Sequence, residues 1–526
     1  MIGRSDHDYL MSKLLSYFMT HFAFFWNLVN RIRPLARWMN RRLINRAVER
    51  NVSRPNAFST MADYTSWASL TDKKWFGRHL PLSRLASLRS LPPVEAVVAI
   101  FDRRRRNPSK PGMSEKSTLL FPSFAQWFTD GFLLTDFQDR RRTHTNHDID
   151  FSALYGLNIK ETDCLRSKSD RSGERGRLKS RMLGGEEYAP AYFEKDGVTP
   201  RPEFEPLRPP LHLPPMWPTS KRQTIFAFGG ERANSTSQTA MLNTLFLREH
   251  NRLAALLERN YPEWDDERIF QTVRNIVVVL LIKIVVEEYI NHISPYHFKF
   301  LADPWAVESV DWNRPNWIAI EFNLLYRWHS LVPSDIDWIG GSVPLEGWVF
   351  DNAPLTQYGL ASAFVASSRQ KASALGLFNT PEFLLHTEAA SIAQGRTTDL
   401  GSYNDYRIAV GFPPAATFED ISEDPDICRE LKALYGEPDN VEFYVGLFAE
   451  NSRPNAAVMA LIGRFVAIDA FSQALTNPLL SKHVFNADTF TPAGLECINS
   501  TCSLEDLLNR NVAKPVETGT VTMTLK

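Results

Sequence analysis

Residues 239–258, TAMLNTLFLREHNRLAALLE, place Leu242, Leu245, Phe246, Leu253, Leu256 and Leu257 along one side of a helix of about 3.6 residues per turn. The next apolar block runs from Ile276 to Val286, eleven residues interrupted only by Lys283. Its β-branched residues favour a strand by propensity. The run is too long for an average strand, however, and Asp265, Asp266 and Glu267 stand where acids suit a helix N-terminus. Two long consecutive helices, the second one buried, are expected. Helical periodicity recurs at 318–331, 356–375, 429–435 and 454–476, and alternating strand patterns are rare. The chain reads as mostly α.

The connections follow from composition. Pro200, Pro202, Pro206, Pro209, Pro210, Pro214, Pro215 and Pro218 crowd residues 189–218, too densely for a helix or a central strand, so a long surface connection is expected. The charged stretch 166–181 and the run Arg103 to Arg106 are expected to be solvated. Over the whole chain of 526 residues, 44% are hydrophobic and 12% aromatic, which excludes a disordered protein. With 59 Lys+Arg against 60 Asp+Glu, it is not a general nucleic-acid binder. Four cysteines cannot form a disulfide scaffold.

The N-terminus is different. Leu14 to Val29 is apolar and aromatic but only 16 residues long, with Thr20, His21 and Asn27 inside it. A spanning helix needs about 20 residues. Arg31, Arg33, Arg37, Arg41, Arg42, Arg46 and Arg50 follow, mixed with Leu35, Trp38, Leu43 and Ile44. Arginine interleaved with Trp and Leu at helical spacing suits a helix lying in a membrane interface. The competing reading is a surface helix whose apolar side joins the core. Pro34 and Pro55 imply several short helices. The expected organisation is an amphipathic membrane-binding and channel-mouth segment over 1–70 and one catalytic domain over 71–526.

Chemistry concentrates in Glu321-Phe-Asn-Leu-Leu-Tyr-Arg-Trp-His329. On a helix, Tyr326 and His329 would leave one face with Cβ atoms roughly 5–6 Å apart. Such a pair can bind a metal and carry a radical, although a lone histidine on an apolar helix is more often a core residue.

This segment resembles the proximal-haem helix of the cyclooxygenases (prostaglandin endoperoxide synthases) and is similar to those of the fungal linoleate dioxygenases and plant fatty-acid α-dioxygenases. Leu247-Arg-Glu-His-Asn-Arg252 resembles a stretch of the animal-type haem peroxidases. Further matches are Asp63 to Trp67, Phe124-Ala-Gln126, Asp150 with Ser152 and Tyr155-Gly156, Tyr296 to Lys299, and Glu442 to Tyr444, so the resemblance spans about residues 15 to 512. It implies a single large haem peroxidase-like helical domain holding haem b. In it His329 would be the iron ligand, Trp328 and Tyr444 would stand beside the cofactor, and Tyr326 would be the radical site. Gln126 would lie on the distal helix. Tyr296 would hold the substrate carboxylate with Arg50, for which Arg46 and Arg54 compete.

The departures carry as much information. Asp130 stands where the family has its distal histidine, the acid–base catalyst that moves a proton between the oxygens of a hydroperoxide. An ordinary Asp titrates at about 4 and would repel a peroxide anion, while burial could restore some acid function. Impaired peroxidase turnover with intact haem binding is expected. His144 and His147 lie nearby but do not fill the motif position. Arg232 lies where mammalian-type peroxidases keep a distal arginine, and a surface or propionate-pairing role competes. Ala470 aligns with the acetylatable serine of cyclooxygenases. For calcium, only Asp150 and Ser152 match, with Gly131 where an acid is wanted, and roughly six oxygens are needed. The disulfide-rich growth-factor-like module is absent, which suggests a simpler, bacterial-type, non-secreted relative.

The function implied is haem-dependent oxygenation of unsaturated fatty acids to lipid hydroperoxides through a tyrosyl radical. A haem peroxidase acting on small reductants is the second reading, and a catalytically silent haem-binding membrane protein the third. The implied partners are a fatty acid, dioxygen or a hydroperoxide, a membrane surface on the cytoplasmic side, and a second copy of the chain.

Overall fold

The computed structural model describes residues 6–49, 64, 66–82, 91–106 and 111–526. Three helices come first: α1 (Asp6–His21), α2 (Ala23–Arg31) and α3 (Arg33–Val48), the last opening with Pro34 in its first turn. The body follows, with α4 (Leu120–Phe132), α5 (Ser237–Asn260), α6 (Asp266–Ile284), α7 (Ile320–Leu325), α8 (Leu385–Thr397), α9 (Phe443–Ala449), α10 (Ala460–Leu475) and α11 (Ala487–Ser500) among its helices. Among the described residues, strands are confined to three two-stranded antiparallel pairs. The fold is mostly α, as its periodicity predicts.

The two long helices form as expected and make the centre of the core. Thr236 caps α5 by a reciprocal pair of bonds with Thr239, and Asp265 caps α6 by accepting from Arg268 N at 2.7 Å. The Val/Ile run of α6 becomes a helix because it is covered on every side, including by α5 and α11. Its last turn widens into a π-helix, Val285–Ile290, which carries Tyr289 inward. By length and composition alone, Asp266–Ile293 is apolar enough to cross a membrane, but it is mostly buried inside the protein.

Three connections differ from expectation. Arg103 is buried, donating to the Asn379 and Val332 carbonyls and to Ser334 at 2.6 Å, so only Arg104, Arg105 and Arg106 of that run face solvent. Arg166 is buried between Asp266 and Glu267, its guanidinium 4.1 Å from the Phe270 ring centre. The proline-rich stretch is irregular as predicted, yet Tyr192, Phe193, Phe204 and Leu207 anchor it in the core. In each case a charged or proline-rich sequence reads as surface, and a few buried anchors hold it down.

The N-terminal helices are two-sided. Met19, Trp26, Val29, Ile44 and Val48 face the body, Arg41 pairs with Asp303 at 2.7 Å, and Asn40 bridges the backbone of Leu301. Phe22, Phe25, Leu28, Ile32, Leu35 and Trp38 point outward, and Phe24 is 86% exposed.

Candidate active site

The helix carrying Tyr326 is shorter than its periodicity suggests. α7 ends at Leu325, Arg327 N turns back to Leu324 O at 3.2 Å, and His329 opens a separate 3-10 turn, His329–Leu331. Tyr326 and His329 therefore do not share one helix face, and the expectation from their spacing is corrected. Polar pegs hold this short helix. Glu321, buried, accepts from His79 N at 3.0 Å and from the Tyr406 hydroxyl at 2.8 Å. Asn323 donates to Leu133 O and Thr135 and accepts from Arg327 at 2.9 Å.

Tyr326 sits in an aromatic box, with Phe322 and Trp328 each at 4.9 Å between ring centres. It is 8% exposed, and its hydroxyl has no hydrogen-bond partner among the described residues. Burial pushes the phenol well above its ordinary pKa, and Tyr289 beside it opposes the shift. Burial also raises Tyr289, which Phe121 and Phe124 flank.

His329 has an unforeseen neighbour. Glu388 on α8 brings Oε1 to 3.1 Å from His329 Nδ1. The same carboxylate accepts from Thr380 at 2.8 Å and from the Tyr444 hydroxyl at 2.6 Å. Tyr444 thus approaches the histidine side of the site, but its hydroxyl meets Glu388. Burial, with Glu388 next, raises the Tyr444 phenol well above its ordinary value. One sequence signal could have revealed Glu388: it is an acid with no cation three or four positions away, in a helix of apolar and small residues.

α4 carries Gln126, which is exposed, and Asp130, which accepts from Arg232 at 2.9 Å. Arg232 is thus tied to the residue that stands at the distal-histidine position. Asp130 Oδ2 has no partner. The guanidinium groups of Arg232 and Arg140 approach the Phe137 ring at 5.6 and 6.0 Å, and His212 meets the same ring at 5.4 Å. Burial lowers Arg327 to about 10, with Arg232 adding repulsion. Gly131 lets α4 lie close to its neighbour, since a Cβ there would meet Ala153 Cβ at 2.8 Å.

His147 is no substitute base: both ring nitrogens are engaged, with Lys73 O at 2.5 Å and Ile318 N at 3.0 Å. His144 faces Asp136 at 3.6 Å instead. Asp150 accepts from Ser152 N and Asn146, so its oxygens serve a turn. Tyr296 is half-buried, its hydroxyl 3.4 Å from Ser16 on α1, which puts it where the N-terminal helices meet the body. Arg50 and Arg54 lie outside the described residues, whereas Arg46 is exposed on α3. Ala470 is buried on α10 beside Asp469, which pairs with His79 at 2.8 Å.

These groups suit a haem. One histidine has a carboxylate behind its Nδ1, which leaves Nε2 for an iron. Arg232, Arg327 and Arg140 offer cationic charge for propionates. Several buried polar atoms, namely Tyr326 Oη, Trp328 Nε1 and Arg327 Nε, lack a protein partner. The animal haem peroxidase family matches residues 137–522. Prostaglandin G/H synthase 2 of Bos taurus is 32% identical over 510 residues, covering 94% of this chain and 80% of that protein. Two solved structures share the fold. Fatty acid alpha-dioxygenase of Oryza sativa aligns with a TM-score of 0.67 at 16% identity, over 97% of this chain and 98% of its own. That of Arabidopsis thaliana aligns at 0.67 and 17%, over 85% and 80%. The chain belongs to the animal haem peroxidase family and is a haem-dependent oxidoreductase. His329, Tyr326 and Tyr444 lie within the matched region, and Gln126 and Asp130 lie just before it.

Proposed function

We propose that the chain oxygenates an unsaturated fatty acid to a lipid hydroperoxide, with Tyr326 as the hydrogen-abstracting residue and His329 as the residue that would hold the haem iron. The observation that carries this reading is the Tyr326 phenol, buried beside the Tyr289 phenol and walled by aromatic rings, three residues before a histidine backed by a carboxylate. His329 would hold the haem, which with a hydroperoxide as oxidant would supply one-electron oxidation of the nearby Tyr326 phenol. Tyr326 then loses an electron and a proton. Its phenoxyl oxygen takes a hydrogen atom from the acyl chain, restoring the phenol and leaving a carbon radical. Dioxygen adds to that carbon. The peroxyl takes the hydrogen atom back from Tyr326, so that acyl-H plus dioxygen gives the hydroperoxide and the phenoxyl is regenerated. The aromatic walls exclude water and spare the radical from quenching. Trp328, tilted against the Tyr326 ring, and Phe322, edge-on to it, hold that ring in place.

Tyr296 lies where an acyl chain would pass from the N-terminal helices into the body, and with Arg50 it holds the carboxylate by charge-assisted hydrogen bonds. The outward aromatic face of α2 and α3, with its arginines, rests on an anionic membrane surface, which suits a cytoplasmic leaflet. A second copy of the chain is the remaining partner, decided by sizing the solubilised protein. Asp130, already paired with Arg232, is a poor proton shuttle, which weighs against a small-reductant peroxidase.

The test is oxygen uptake by haem-loaded protein against a panel of fatty acids, with mass analysis of the products. Tyr326→Phe is expected to cut uptake with linoleate by at least 100-fold, on the order of 3 kcal/mol in barrier, while haem stays bound. Unchanged uptake removes the radical role.

A further inference from the structure

Glu388 is a buried carboxylate, 1% exposed, and among the described residues no Lys or Arg pairs with it. An isolated buried charge is costly and needs compensation. Two of its contacts are neutral donors, Thr380 to Oε1 at 2.8 Å and Tyr444 to Oε2 at 2.6 Å. The third is His329 Nδ1, 3.1 Å from Oε1, close in distance but not aligned as a hydrogen bond. A turn of the imidazole about its soft χ2 torsion completes that bond. Nδ1 has no other partner.

We propose that Glu388 is a positioning residue for the haem. It accepts the Nδ1 proton of His329, fixes the tautomer that presents Nε2 to the iron, and pushes electron density through the imidazole. A carboxylate behind a ligating histidine raises its basicity. A more basic histidine ligand stabilises ferric over ferrous iron, so Glu388 would hold the reduction potential of a bound haem down. Thr380 and Tyr444 set the strength of this effect. They hold the carboxylate in place, and each also draws charge away from Nδ1. A metal bound to His329 would supply, through the histidine, the countercharge that the described residues lack. This inference rests on His329 being the ligand.

The experiment uses the full haem-loaded chain and two readouts other than turnover: the Fe(III)/Fe(II) midpoint potential, and the iron–imidazole stretch of the ferrous protein by resonance Raman. Glu388→Gln keeps the size and one acceptor oxygen but removes the charge. It is expected to shift the ferric/ferrous equilibrium at least tenfold towards ferrous, about 59 mV for one electron, and to lower the stretching frequency. Tyr444→Phe removes a competing donor and is expected to move both readouts the opposite way. A wild-type frequency typical of a neutral, unsupported imidazole overturns the proposal even where Glu388→Gln fails to fold. So does a Glu388→Gln protein with haem bound and both readouts unchanged. His329→Ala separates the two readings. Loss of the Soret band and of the iron–imidazole stretch upholds the ligand assignment, and retention of stoichiometric haem with the stretch intact sinks the assignment itself.

Discussion

Asp130 shows how much a single residue decides. Its place on α4 is legible in sequence, because Gln126 sets the register four positions earlier. Its partner is not, since Arg232 lies 102 residues away in the chain. The salt bridge commits Oδ1 to a guanidinium, so that oxygen is not free to meet a bound peroxide. Asp130→His introduces a base that titrates near neutrality. Peroxidase turnover with hydrogen peroxide and a small reductant is expected to rise about 10²-fold, the usual worth of a positioned acid–base group. No gain places the substituted position away from the bound peroxide. Glu388 is a second such case. Nothing in its neighbours predicts three separate partners, because they arrive from Thr380, His329 and Tyr444.

Among the elements, α7 and α4 do the positioning. The periodicity of 318–331 is real, but it continues past the point where the backbone leaves the helix at Leu325. Hydrophobic spacing reports which residues are buried, and a buried turn after a helix keeps the same spacing. The departure brings the Tyr326 phenol among Phe322, Trp328 and Tyr289, and His329 to Glu388. α4 is held close to the segment after it by Gly131. Gly131→Ala would press a Cβ to 2.8 Å from that of Ala153, so α4 has to shift. The cost is about 1–3 kcal/mol, read as a lower urea midpoint, with weaker haem retention because Asp130 and Gln126 move too. An unchanged midpoint means that the two segments relax freely.

The whole molecule adds two tests. Glu288, on the π-helix, is pushed up to about 8, mainly by burial and also by Asp506 and Glu505, while Leu504 N opposes this. The folded protein therefore holds a proton that the unfolded chain releases above the ordinary glutamate range, and stability falls as pH rises from about 4.5 to 8. Glu288→Gln removes that loss. Its urea-unfolding stability relative to wild type is expected to grow by more than about 1.4 kcal/mol over this window, the worth of one pKa unit. A difference that stays constant with pH refutes the assignment. The second test concerns the outer face of the N-terminal helices. The double change Phe24→Asp with Trp38→Asp alters two outward residues and no core contact. Wild-type protein should pellet with vesicles of mixed neutral and anionic lipid, and the variant should remain in the supernatant. Equal pelleting removes this face from membrane binding.

By itself, the sequence determined the helical class, the two long central helices, the apolar N-terminal layer and the segment that carries Tyr326 and His329. These depend on local periodicity, capping and motif spacing, which lie within a few turns of chain. The tertiary structure alone decided that Arg103 and Arg166 are buried, that Asp130 is bound to Arg232, and that Glu388 stands behind His329. Each of these turns on which partner a charged side chain meets, and that partner comes from a distant part of the chain brought close by packing.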